Sequence, residues 1–267
     1  MNNVITFPGL GLTFEVNRAA FHIFGISVYW YGLLIALGLI LAIVYGIREA
    51  KKTGVSQDDL LNMILIAVPV AIVCARLYYV IFSWDMYKDD LLSVFDIRNG
   101  GLAIYGGVIG ACLVIFFYCR RKHLSLGAVL DILAVGLLIG QAIGRWGNFV
   151  NGEAFGGPTQ LPWAMSIRQD GEIIAQGVHP TFLYESLWNA AGIVILLVYK
   201  RWKSFRGEVF CGYLIWYGLG RMWIEGLRAD SLYIGNLRVS QILAGLTVLA
   251  GAGILLYGRL QQRKKQQ

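Results

Sequence analysis

The sequence predicts an all-α, polytopic integral membrane protein with seven transmembrane helices, its N-terminus outside and its C-terminus cytoplasmic. Two compositional facts and one pattern carry that prediction. Of 267 residues, 57% are hydrophobic and only 15% charged, whereas soluble domains sit near a quarter charged. Seven apolar runs reach about 18 residues or more, the length that crosses a bilayer. Lys and Arg gather in every second connecting segment, as they do in cytoplasmic loops.

Taken in order, the runs are Ile26–Ile47, Leu60–Phe82, Leu102–Cys119, Leu126–Gly144, Thr181–Tyr199, Val209–Gly226 and Val239–Tyr257. Arg48, Lys51 and Lys52 follow the first, and Arg120, Arg121 and Lys122 follow the third. Lys200, Arg201, Lys203 and Arg206 follow the fifth, and Arg259, Arg263, Lys264 and Lys265 follow the seventh. Those four segments hold fourteen of the 23 basic residues. The intervening segments hold Arg18, Lys88, Arg98, Arg168, Arg228 and Arg238. An odd number of spans puts the termini on opposite sides, in agreement with the charge pattern.

Little chain remains for a soluble domain, so residues 1–267 read as a single transmembrane domain. The first 25 residues lack a basic n-region and a small-residue cleavage site, so no removable signal peptide is expected. Cys74, Cys112, Cys119 and Cys211 all fall in apolar runs and read as small core residues. No Cys or His cluster has zinc spacing and no Gly-rich phosphate loop is present, so neither a metal nor a cofactor is expected. The net charge of +7 follows the loops. It implies a membrane and no nucleic acid.

Three arginines remain inside spans or at their edges: Arg76, Arg145 and Arg221. Each costs about 2.5 to 3.5 kcal/mol at a helix centre, which makes it a functional candidate. In this topology spans two, four and six all run outward, and all three cations fall toward the outer leaflet. An anionic ligand bound from that leaflet requires such a coincidence. A buried ion pair with Glu225, at i+4 from Arg221, is the purely structural alternative.

The surrounding residues are polar as well. Tyr217, Arg221 and Glu225 form one helix stripe, which Arg228 continues at i+3. "GVHPTFLYES" places His179 at the outer mouth of span five, beside a proline suited to a first helical turn, with Glu185 below it. Two Gly pairs flank Tyr105 at the start of span three and permit close approach of a helix or a ligand. In "AIGRWGNFVNGEAFGG", Arg145 and Asn148 share a face. Gly147 and Gly152 let the chain leave helical geometry, tolerable at this depth only along a protein or water cavity. The result is an outer-leaflet polar pocket for an amphipathic, phosphate-bearing ligand.

An enzyme acting on a lipid and a transporter carrying it both need such a pocket. The sequence shows no inverted repeat, and its polar residues stack on the outer side instead of reaching the midplane. A seven-helix receptor needs no such set of arginines. Asp131, in the inner half of span four, is left without a role.

"GRWGNFVNGEAFG" resembles the signature of bacterial prolipoprotein diacylglyceryl transferases, a Gly-Arg-x-x-Asn-Phe-x-Asn-x-Glu pattern ending in Gly. "YWYGLLIALG", "ARLYYV", "GGLAIYGG", "HPTFLYE" and "YGLGRMWIEGLR" fall in the order that family shows, so the resemblance covers essentially the whole chain. It implies an enzyme of the bacterial plasma membrane that moves the diacylglyceryl group of phosphatidylglycerol onto the lipobox cysteine of prolipoproteins at the outer face. The products are a thioether and glycerol phosphate.

The resemblance also implies site residues. Arg145 and Arg221 are the essential cations, Arg221 for the leaving phosphate and Arg145 for headgroup or glyceryl ester oxygens, two roles that can be exchanged. Asn148, Asn151 and Glu153 orient Arg145 and the headgroup, and Tyr217 hydrogen-bonds the phosphate or the incoming sulfur. Arg76, Tyr31, Glu185, Glu225 and Arg228 complete the lipid-binding set. Many members carry histidine where this chain has Tyr105, and tyrosine, with a pKa near 10, is a poor base at neutral pH. Tyr105, His179 and a lipid phosphate oxygen are the candidate proton acceptors. An arginine that lowers the thiol pKa would remove the need for one.

Overall fold

The computed structural model describes residues 2–97, 100–229, 233–235 and 237–266, without the side chains of Tyr233, Ile234, Leu237 and Gln266. Arg98, counted above among the outward cations, lies outside the described residues. In chain order the elements are β1 (Asn2–Phe7), β2 (Leu12–Asn17), β3 (Ala19–Ile23), β4 (Ile26–Tyr29), α1 (Trp30–Thr53), α2 (Gln57–Phe82), α3 (Ile104–Arg121) and α4 (Leu126–Asn151). Then come β5 (Met165–Gln169), β6 (Glu172–Val178), α5 (Thr181–Tyr199), α6 (Glu208–Leu227), β7 (Tyr233–Ile234), β8 (Leu237–Arg238) and α7 (Val239–Gln266). The protein is a mostly helical, multi-pass membrane protein.

Every helix except α6 is long and apolar enough to cross a membrane. α6 is 20 residues long, ample for a span, but Glu208, Arg221 and Glu225 lower its hydropathy. Two of those three belong to the candidate site.

The expectation of an all-α chain is corrected by the strands. β1 lies between β2 and β5 in a four-stranded antiparallel sheet of order β2-β1-β5-β6. Asn3, Ile5 and Phe7 alternate inward along β1, the period of a half-buried strand. Strands of five to seven residues are too short to register beside 20-residue apolar runs. The partner of β1 is also distant: Ile5 faces Ile167 across the ladder, a pairing that local periodicity does not report. The 158–178 segment forms a hairpin, β5 and β6, turning through Asp170 and Gly171 at φ 48° and 93°.

The chain resolves into two compact units, Met1–Tyr45 with Leu130–Gln267, and Gly46–Val129. In the first, the sheet buries Ile5, Phe7, Met165, Ile167 and Val178 with Phe182, and Phe149 packs on them. The Asn3 side-chain amide donates to the Val150 carbonyl at 2.7 Å. The sheet thus grips the last turn of α4 and the first turn of α5, the two places where the polar residues of the site begin. A second core joins α4, α5 and α6 through Ala134, Val135, Leu138, Leu196, Val209 and Tyr213.

Asp131, unexplained by the sequence, is 4% exposed. It accepts the backbone N–H groups of Gly207 and Phe210, each at 3.0 Å, and Lys203 Nζ at 3.0 Å. Gly207 is the N-cap of α6 and supplies no side-chain oxygen, so a residue of α4 caps α6 from across the bundle. Glu208, fully buried, accepts the Tyr199 hydroxyl at 2.6 Å and Arg259 Nε at 2.8 Å. This polar knot ties the α5–α6 turn to α7.

In the second unit α2 and α3 pack together, and Ser56 caps α2 by accepting from the Asp59 amide at 2.9 Å. Arg76 is 7% exposed. Its Nε donates to Val94 O, Nη1 to Gly100 O and Gly101 O, and Nη2 to Ser93 O and Asp96 O, at 2.7–3.0 Å. All five guanidinium donors are spent on one strap of main chain. The Tyr87 ring lies 5.0 Å beyond the guanidinium carbon.

Candidate functional site

The site grows from three helices of the first unit. α4 delivers Arg145 and Asn148 near its end, because the sheet holds that end in place. Gly152 follows at φ 66°, the left-handed geometry that closes a helix, and turns the chain back so that Glu153 faces α4. Glu153 Oε1 accepts from Asn148 Nδ2 at 3.1 Å and from Asn151 Nδ2 at 3.2 Å. Asn148 Oδ1 in turn accepts from Arg145 Nη1 at 3.3 Å. The four residues form one relay that fixes the Arg145 guanidinium. Arg18 Nη2 donates to the Asn151 carbonyl at 2.7 Å and secures the same turn.

α5 supplies the counter-charge. Glu185 is 5% exposed. One carboxylate oxygen lies 2.5 Å from Arg145 Nη2, and the other lies 3.3 Å from Arg221 Nη1 and 3.7 Å from Arg228 Nη1. α6 adds Glu225, 2% exposed, 2.7 Å from Arg221 Nη2 and 4.0 Å from Arg228 Nε. Arg221 is therefore held between two buried carboxylates on neighbouring helices. The i+4 pair with Glu225, set out above as the structural alternative, is present, and the bridge through Glu185 comes with it.

Buried charges are stable only beside a counter-charge, and this cluster pairs three guanidinium groups with two carboxylates. Arg145 and Arg221 keep side-chain exposures of 24% and 19%. Both are reachable from outside the protein while their carboxylate partners are not.

The other expected residues fall as follows. Tyr217 stacks on Tyr213 at 5.7 Å and lines a cavity of about 10 Å³ with Glu185 and Arg221, room for a single water. Tyr213 is itself anchored, its hydroxyl accepting from Gln141 at 2.9 Å. Tyr31, near the start of α1, lays its ring against the backbone at Gly147, where a Cβ would overlap it. His179 Nδ1 is 3.3 Å from the Tyr184 hydroxyl, which accepts from Trp163 Nε1 at 2.7 Å. The side chain it meets is thus an aromatic hydroxyl, not a charge of the cluster.

In the second unit, Tyr105 is 41% exposed and its ring lies 6.4 Å from Tyr78. Arg76, expected to bind lipid, instead holds the strap described above. Every N–H of its guanidinium is directed at a main-chain carbonyl in this arrangement.

Two features of the site were not read from the sequence. One is the role of Glu185 as a bridge, signalled only by a carboxylate inside an apolar run. The other is the packing of Trp188 on Trp216, at 4.3 Å between ring centroids, beside Arg221. Its signal is a tryptophan four residues before a glycine in both α5 and α6.

A cluster of this kind, polar and internally paired within apolar helices, suits an anionic amphiphile. Comparison with known proteins gives the same direction. The family described as prolipoprotein diacylglyceryl transferase matches residues 18–257. A relative from Clostridioides difficile (strain 630) is 44% identical over 250 residues, 94% of this chain and 98% of the relative. One from Lysinibacillus sphaericus (strain C3-41) is 46% identical over 259 residues, 94% and 95% of the two chains. One from Finegoldia magna (strain ATCC 29328 / DSM 20472 / WAL 2508) is 50% identical over 238 residues, 88% and 93%. All three bear the name phosphatidylglycerol–prolipoprotein diacylglyceryl transferase. With the match spanning nearly the full chain and the buried arginines lying inside it, the protein belongs to the prolipoprotein diacylglyceryl transferase family.

Proposed function

We propose that the chain transfers the diacylglyceryl group of phosphatidylglycerol to the lipobox cysteine of prolipoproteins, as the first step of lipoprotein maturation. The whole chain acts as one catalytic domain in the bacterial plasma membrane, with seven spans, the N-terminus outside and the site open to the outer leaflet. The observation that carries this reading is the Arg145–Glu185–Arg221 bridge across α4, α5 and α6. It sets two partly accessible cations at a fixed separation among apolar helices.

The chemistry follows from charge. The preprotein's own cysteine attacks the glyceryl carbon that bears the phosphoester oxygen. A C–S bond forms, the C–O bond breaks, and its electron pair leaves on the phosphate as glycerol phosphate. Negative charge passes from sulfur to phosphate, and preorganised cations in a low-dielectric site stabilise that transfer. Arg221 takes the leaving phosphate, while Arg145, aligned by Asn148, Asn151 and Glu153, takes headgroup or ester oxygens. Tyr217 reaches the phosphate or the sulfur, and Tyr31, Glu225 and Arg228 frame the lipid.

The leaving phosphate oxygen takes up the thiol proton as the C–O bond breaks, and the released monoester, with a second pKa of about 6, passes it to water at neutral pH. Tyr105 and His179 are the alternative acceptors for that proton. The β5–β6 hairpin offers a surface to the preprotein.

The test uses purified protein in detergent with phosphatidylglycerol and a lipobox peptide. Glycerol phosphate is released and the peptide gains the diacylglyceryl mass only when both substrates are present, and Arg221→Ala abolishes both signals. No release, while labelled phosphatidylglycerol still crosses proteoliposome leaflets, would replace the transferase with a lipid carrier.

A further inference from the structure

α5 and α6 carry the same short pattern, Trp188 with Gly192 in one and Trp216 with Gly220 in the other. In the folded chain the two patterns interlock. The indoles stack with centroids 4.3 Å apart and planes 16° from parallel. Trp188 Nε1 donates to the Trp216 carbonyl at 2.9 Å, and Trp216 Nε1 donates to the Trp188 carbonyl at 3.0 Å. Each ring also lies on the other helix's glycine: a Cβ at Gly220 would overlap Trp188, and one at Gly192 would overlap Trp216.

This contact does more than fill space. Stacking alone would tolerate sliding, but two reciprocal N–H···O bonds fix the axial register, and a slip of one residue breaks both. The two glycines set the distance between the helix axes. Buried indole N–H groups need partners, and here each finds one on the facing helix.

The contact adjoins the site. Gly220 directly precedes Arg221, and Glu185 lies one turn from Trp188. Trp188, Gly220, Glu185, Tyr217 and Arg221 line the same cavity. We infer that the Trp188–Trp216 clasp is a positioning device that holds Arg221 at its working distance from Glu185 and from the departing phosphate. The inference rests on the transferase reading of this site. Neither tryptophan touches a reacting atom.

The experiment compares Gly220→Ala, Gly192→Ala, Trp188→Phe and Trp216→Phe with Gly251→Ala, in full-length protein in detergent. Gly251 packs on the other half of α6, where a Cβ would meet Cys211 O and Leu214 Cβ at 3.0 Å, so it reports the general cost of disturbing that helix. Gly220→Ala displaces the Trp188 ring by about 1 Å and lowers kcat roughly a hundredfold, the usual cost of such a misplacement. KM for the lipobox peptide stays unchanged. The Trp188→Phe/Trp216→Phe double variant is no worse than the poorer single one, because the two bonds act as a unit. Gly251→Ala lowers Tm by a similar amount but keeps its kcat.

Clasp variants that lose Tm yet keep kcat would overturn the inference, as would an equal loss of kcat in Gly251→Ala. If the wild type releases no glycerol phosphate, the transferase reading fails by itself. The clasp is then judged by the rise in Tm that phosphatidylglycerol induces. A rise lost in the clasp variants and kept in Gly251→Ala supports it, and a rise kept in all overturns it.

Discussion

Glu185 lies 2.5 Å from Arg145, so a carboxylate on α5 neutralises a cation that α4 carries into an apolar bundle. Its second oxygen does the same for Arg221 at 3.3 Å. One buried side chain therefore sets the spacing of both cations. Glu185→Gln keeps the shape and removes the charge, leaving two guanidinium groups underpaired. Breaking a buried pair from one side costs about 3 to 5 kcal/mol. Thermal denaturation in detergent shows a clear fall in Tm, and glycerol phosphate release falls at least as far as in Arg145→Ala. A variant with wild-type Tm and turnover would show that the bridge is incidental.

Asp131 acts by capping, not by chemistry. Asp131→Ala strips α6 of its cap at Gly207 and Phe210 and frees Lys203, a loss of about 2 to 3 kcal/mol from unsatisfied amides and a missing cap. Unfolding measurements show that loss, while turnover per folded molecule stays at the wild-type value. Asp131→Asn retains one acceptor oxygen and recovers part of the stability. A large drop in kcat with unchanged stability would contradict the capping role.

Arg76→Lys separates a strap-holding residue from a lipid-binding cation. Lysine keeps the charge but offers three donors at one point in place of a planar fork of five, so it cannot reach Ser93, Val94, Asp96, Gly100 and Gly101 together. Hydrogen exchange over residues 91–97 and 100–103 accelerates in this variant. Unchanged exchange with a raised KM for phosphatidylglycerol would restore Arg76 to the lipid site.

Tyr105→Phe tests the proton acceptor. Its hydroxyl belongs to a half-exposed ring beside Tyr78. The variant retains most of its turnover. A thousandfold loss would make Tyr105 the base.

Six apolar helices were legible from the chain alone, because crossing a membrane imposes a length and a polarity that local composition records. The candidate cations were legible for the same reason: Arg145 and Arg221 stand out against apolar neighbours, and the Asn148, Asn151 and Glu153 relay sits within nine residues of Arg145. α6 shows the limit of that logic, since the residues that mark it as functional are those that weaken it as a span.

Partners distant in sequence were not legible. Ile5 pairs with Ile167, Asp131 caps Phe210, Glu185 bridges Arg145 and Arg221, and Trp188 interlocks with Trp216. Arg76 looked like its fellow arginines and turned out to be fully occupied by its own strap. Periodicity and hydropathy state what each segment prefers to face. Which buried donor meets which acceptor depends on how the helices and the sheet bring remote segments together, and a buried charge or N–H is stable only beside the partner that packing supplies.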